Sequence, residues 1–138
     1  MPYTPIAPNL VEAIVGHIRY HQKNLGARYH SEDYTEHETA GEMTTVGGAT
    51  VEVMALVKFD KKYSYGQDAE RSVQVGATAK CHGWGCADPR SEESFGEAAP
   101  LDANGYDIAA TAEPLVQAAR EWAQAHAEKC RAQPYTGR

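Results

Sequence analysis

Residues 47–59 read GGATVEVMALVKF, and this stretch decides the fold. Val51, Val53, Ala55, Val57 and Phe59 fall on alternate positions, the period of a strand with one buried face. Gly47-Gly48 supplies the backbone freedom of a tight hairpin turn, so a preceding strand is predicted from Glu42 onward. Beyond a turn-prone stretch over residues 60–68, Val73, Val75, Ala77, Ala79 and Cys81 repeat the alternation. The second set ends on a cysteine, and the core pattern itself therefore carries Cys81 to the interior edge of the sheet.

Helical patterns flank these strands. Residues 9–25 place Leu10, Ile14, Ile18, His21 and Leu25 on one stripe, with Asn9 and Glu12 spaced as a capping box and Gly26 as a stop. Near the C-terminus, residues 111–132 place Leu115, Ala119, Trp122, His126 and Cys130 on one stripe; Pro114 fits the first turn and Pro134 ends any continuation. Residues 27–40 mix His, Tyr, Glu and Asp without a period and read as a polar connection. Residues 87–106, with Pro89, Pro100 and many acids, read as a loop or insertion. The prediction is one α+β domain over residues 1–138: helix, three-stranded antiparallel sheet, helix, with both helices on one face.

Cysteine spacing carries the chemistry. Zinc takes four tetrahedral ligands from Cys thiolate and His nitrogen, commonly as two close pairs, and Cys81-x4-Cys86 with His126-x3-Cys130 fits that form. Glycines between the first pair let the backbone curl until two sulfurs face one point, and the second pair lies four apart on one helix face. Three thiolates and an imidazole leave no coordination position open for water, so the expected ion is a structural Zn2+ joining the third strand to the last helix. Competing readings are buried cysteines behaving as small hydrophobes, a Cys81–Cys86 disulfide, or His82 in place of His126. His17 and His21, four apart on the first helix and followed by His30 and His37, offer a second metal site against the blander reading of a partly packed helix face.

The motifs KCHGWGC (residues 80–86) and WAQAHAEKCRA (residues 122–132) resemble those of short, poorly characterised zinc-finger proteins of high-GC bacteria and of their phages and plasmids. The resemblance covers the C-terminal third, and the first pair here has four intervening residues where two are more usual. It implies a zinc-bound knuckle and helix, with Cys81, Cys86, His126 and Cys130 as ligands, and no defined activity. The element order also resembles the double-stranded RNA-binding domain, but the lysine cluster that family uses is replaced by Asp102, Asp107 and Glu113.

Composition narrows the function classes. Thirteen Lys plus Arg against nineteen Asp plus Glu give a net charge of −6, which opposes non-specific nucleic-acid binding. No nucleophile elbow, phosphate-binding glycine loop or deaminase signature is present. No apolar run is long enough to span a bilayer, and MPYTPIAPNL is unlike a secretory signal, so the expectation is a soluble protein, cytoplasmic or within a phage particle assembled there. The leading reading is a non-enzymatic zinc-binding protein-interaction or assembly component, as an accessory subunit or phage-particle structural protein. Its rivals are a nucleic-acid-binding regulator using Lys58, Lys61, Lys62, Arg71 and Lys80, and an enzyme using the His- and Tyr-rich residues 17–37.

Overall fold

The computed structural model describes residues 3–6, 9–23, 33–62 and 70–133; of His21, Lys23, Asp33, Tyr34, Lys61, Lys62 and Glu70 it describes the backbone alone. The elements run β1 (Thr4–Pro5), α1 (Leu10–Lys23), β2 (Asp33–Thr44), β3 (Thr50–Lys62), β4 (Glu70–Cys81), β5 (Ser94–Phe95), β6 (Ala99–Pro100), α2 (Gly105–Ala110) and α3 (Ala112–Lys129). They form an α+β fold around one antiparallel sheet of order β1-β2-β3-β4-β5, with β6 also paired to β4.

The predicted sheet is present and enlarged. β2, β3 and β4 are the long strands, and three two-residue strands extend the sheet, giving six in place of three. Register aligns the alternating sets, pairing Val51 with Cys81, Val53 with Ala79, Ala55 with Ala77, Val57 with Val75 and Phe59 with Val73. All ten side chains are buried on one face. Fully burying a Val or Phe contributes roughly 1.5–3 kcal/mol, so the five valines and Phe59 of this double row are a large share of the sheet's hydrophobic stabilisation.

Both helices cover that face, at opposite ends. Ile14, Val15 and Ile18 of α1 pack with Ala55, Val57, Phe59, Val73 and Val75. Ala119, Ala123 and Ala127 of α3 pack with Val51, Val53, Ala77, Ala79 and Cys81. The stripe predicted for the last helix is thus rotated: small alanines meet the sheet, and Trp122 and His126 stand half-buried on the flank. Small side chains allow the close approach that a central Trp122 would prevent.

Three further expectations change. The polar connection over residues 27–40 gives way to strand from Asp33, because β2 pairs with β3 along its length. The loop over residues 87–106 instead covers the outer edge of β4 through β5 and β6, buries Leu101 and leads into α2. α2 is capped by Asn104, whose side chain accepts from the backbone N–H groups of Tyr106 and Asp107. Glu12, predicted to close a capping box, accepts the Tyr106 hydroxyl at 3.1 and 3.2 Å and joins α1 to α2. Leu25 and Gly26, the predicted end of the first helix, lie outside the described residues.

Candidate metal centre

Four side chains from two elements and a turn meet where β4 ends against α3. Cys81 is the last residue of β4, delivered inward by the alternation that buries Val73 through Ala79. The chain then turns through Gly83, Trp84 and Gly85 to Cys86, which is half-buried. Gly85 has φ +71°, in the left-handed region that glycine occupies without steric cost. His126 lies in the last turn of α3, and Cys130 caps that helix in extended conformation while its N–H donates to the His126 carbonyl.

The donor atoms of Cys81, Cys86, His126 and Cys130 all lie within 4.8 Å of one another, and among the described residues this is the one such group of three or more potential ligands. Sγ of Cys130 is 3.9 Å from that of Cys81 and 3.8 Å from that of Cys86, and Cys86 Sγ is 3.5 Å from His126 Nε2. A tetrahedral ion with Zn–S of about 2.3 Å and Zn–N of about 2.0–2.1 Å requires edges of about 3.8 Å between sulfurs and about 3.6 Å from sulfur to nitrogen. The separations therefore fit one four-coordinate ion. They are far too long for a disulfide, which needs about 2.05 Å, and all three thiols are free.

Neighbouring groups orient the ligands. The Gly83 N–H donates to Cys81 Sγ at 3.3 Å and helps to hold the sulfur in place. The His126 ring stacks on Trp122 with centroids 4.7 Å apart and planes 9° from parallel, which fixes the imidazole with Nε2 toward Cys86. Burial is the main cause that pushes the Cys81 thiol up to about 12; Gly83 opposes it, and the Cys130 and Cys86 sulfurs add to it. A bound cation would favour the ionised form of the Cys81 thiol against that burial.

The surrounding backbone is clamped around the centre. On the β2–β3 hairpin, the Val46 N–H donates to the Ala127 carbonyl at 2.9 Å and the Gly47 N–H to the Cys130 carbonyl at 3.1 Å. These bonds satisfy carbonyls that the end of a helix leaves unpaired. From the opposite side, the Trp84 N–H donates to the Gln133 carbonyl at 2.7 Å. The hairpin, the Cys81–Cys86 turn and the end of α3 are therefore tied together independently of the donor atoms.

The other candidates are dispersed. His82, the rival ligand, turns away from the centre and meets Glu52 Oε1 at 3.1 Å. His17 lies between Glu36 at 3.7 Å and Glu38 at 3.1 Å, whereas His37 lines a cleft on the other face of the sheet. The side chains of His21 and His30 lie outside the described residues, and the two described members of the proposed second metal site, His17 and His37, stand on opposite faces of the sheet. Of the basic set, Lys58 and Lys80 stand on the outward face and Arg71 on the opposite one; the Lys61 and Lys62 side chains lie outside the described residues. Sequence reading missed the network in which Glu52 holds both His82 and Thr39. Its signal is the outward half of the strand alternation, where Glu52, Met54, Thr78 and Lys80 fall between core positions.

No protein-family model, curated protein or solved structure matches the chain. The zinc-finger resemblance accordingly stands on the two cysteine motifs. No helix among the described residues is long and apolar enough to cross a membrane.

Proposed function

We propose that Cys81, Cys86, His126 and Cys130 bind one structural Zn2+, and that the protein is a non-enzymatic interaction or assembly component stapled by that ion. The observation that carries the metal reading is the set of donor separations, 3.5–3.9 Å across three edges, the dimensions of a tetrahedral sulfur and nitrogen site. Soft thiolates with one imidazole favour zinc over the hard cations that oxygen ligands select. With all four positions filled by protein, the ion supplies folding free energy and has no site for substrate or activated water.

The interaction role is supported by what the staple displays. Trp84, at the tip of the ligand turn, is 63% exposed, and Val46, on the adjoining hairpin, is 43% exposed. Large aromatic side chains held outward on rigid backbone are the residue type that anchors protein interfaces. A metal-fixed turn presents such an anchor at little entropic cost.

Elemental mass spectrometry of the purified protein, with its mass under native conditions, tests both parts. One zinc per chain is the expected metal result, and no bound metal overturns it. A discrete assembly that Trp84→Ala dissolves while zinc content holds is the result expected of an interaction surface. Assembly indifferent to that substitution removes Trp84 from the role.

A further inference from the structure

The outward face of the sheet carries a second feature, independent of the metal reading. A half-open cleft of about 250 Å³ lies there, with Met54 and Thr78 on neighbouring strands and Lys80 and Arg90 along one side. We propose that this cleft binds a small organic ligand with a single oxyanion head, carboxylate or phosphate monoester, held by Lys80 and Arg90 with its apolar part against Met54.

Strand pairing puts the two cations together. Lys80 and Arg90 form an isolated antiparallel bridge, so they stand directly opposite each other across adjacent backbone segments. Like charges in that relation destabilise a sheet unless something between them carries opposite charge. Neither makes an ion pair with a described carboxylate.

The natural partner is already engaged. Glu52 is the register partner of Lys80 on β3. Its Oε1 meets His82 Nε2 at 3.1 Å, and its Oε2 accepts the Thr39 hydroxyl. Those bonds draw the carboxylate toward β2 and His82, and Lys80 acts on it only through its longer-range field. Two donors are left facing the cleft, and the guanidinium of Arg90 can grip either oxyanion through paired N–H groups.

Size and charge limit the ligand. Drug-sized pockets run from about 300 Å³ upward, so this cleft suits a compact molecule. Glu93 also lines it. That carboxylate repels polyanions, which disfavours a phosphodiester chain and leaves room for one anionic head. Met54 supplies a polarizable apolar contact that adapts to a small ring or aliphatic group.

Titrating the purified full chain with benzoate and, separately, phenyl phosphate, and following backbone amide shifts by NMR, tests the proposal. The expected result is a saturable one-to-one response at Met54, Thr78, Lys80 and Arg90 for at least one probe; the tighter probe identifies the head group. Arg90 is exposed, so Arg90→Gln should keep the wild-type melting temperature while weakening binding about tenfold, by loss of a charge-assisted contact. The proposal fails if neither probe saturates by about 10 mM, weaker than the millimolar affinity of a minimal specific site. An equal response in Arg90→Gln, or shifts that bypass the cleft, overturns it as well.

Discussion

At Cys130 a single sulfur closes the donor set, lying within 3.9 Å of both other thiols. Loss of a structural metal belongs to the few changes that cost more than about 4 kcal/mol. Cys130→Ser should therefore abolish stoichiometric zinc and lower the urea midpoint sharply, and an unchanged midpoint would contradict the staple. Two glycines make a complementary test by steric means. A Cβ on Gly47 would lie 2.5 Å from backbone atoms of Arg131 and Ala132, so Gly47→Ala must push the hairpin off the segment that follows the centre. Overpacking of that kind costs about 1–3 kcal/mol. A Cβ on Gly16 meets nothing within 4 Å, and this residue is exposed within α1, so Gly16→Ala should stabilise by about 0.5–1 kcal/mol. Urea unfolding of the two variants should move the midpoint in opposite directions, and movement in the same direction would refute this packing.

Among the elements, β3 and β4 were legible because their inward positions are apolar from Val51 to Phe59 and from Val73 to Cys81, whereas β2 was legible only from Glu42 onward. Glu36 and Glu38 share β2's inward side, yet they meet His17 of α1 rather than aliphatic side chains. Near Ala40 the register then shifts, moving the inward positions to Gly41 and Met43, and a bulge of this kind breaks the two-residue period on which strand reading depends. The four clustered donors were legible for the opposite reason, since their chemistry is rare and their spacing survives any detail of packing. The rotation of α3 was hidden because alanine signals burial weakly, although Ala119, Ala123 and Ala127 form the contact. That rotation gives Trp122 its role beside His126. Removing a group that orients a metal ligand typically costs 10–100-fold in affinity. Trp122→Leu, which keeps an apolar side chain but no stacking plane, should weaken zinc binding by about tenfold in competition with a chromogenic chelator. Unaltered affinity would mean that the helix alone positions the imidazole.

For the molecule as a whole, two hydrophobic clusters lie end to end under one sheet face, one beneath α1 and one beneath α3, and the donor set closes only the second. Metal removal should therefore loosen the α3 end first, with pH as the discriminating variable. In the metal-free fold, burial opposes ionisation of Cys81 and pushes its thiol from an ordinary 9.0 up to about 12. The unfolded chain releases that proton near 9.0, whereas the fold retains it until about 12. Across this window the unfolded state binds fewer protons, so folding stability must fall as pH rises. The contribution is fully present below the lower value and lost by the upper one. Zinc-bound sulfurs have already released their protons, leaving this thiol nothing to lose in the same window. Chelator-treated and zinc-loaded protein, both under reducing conditions, should thus diverge in urea midpoint between about pH 8 and about pH 10.5, with the metal-free form falling further. Lysine and tyrosine titrations common to both forms cancel in the difference. Parallel loss in the two forms would show that the sulfurs do not hold the ion, even if zinc co-purifies with the chain.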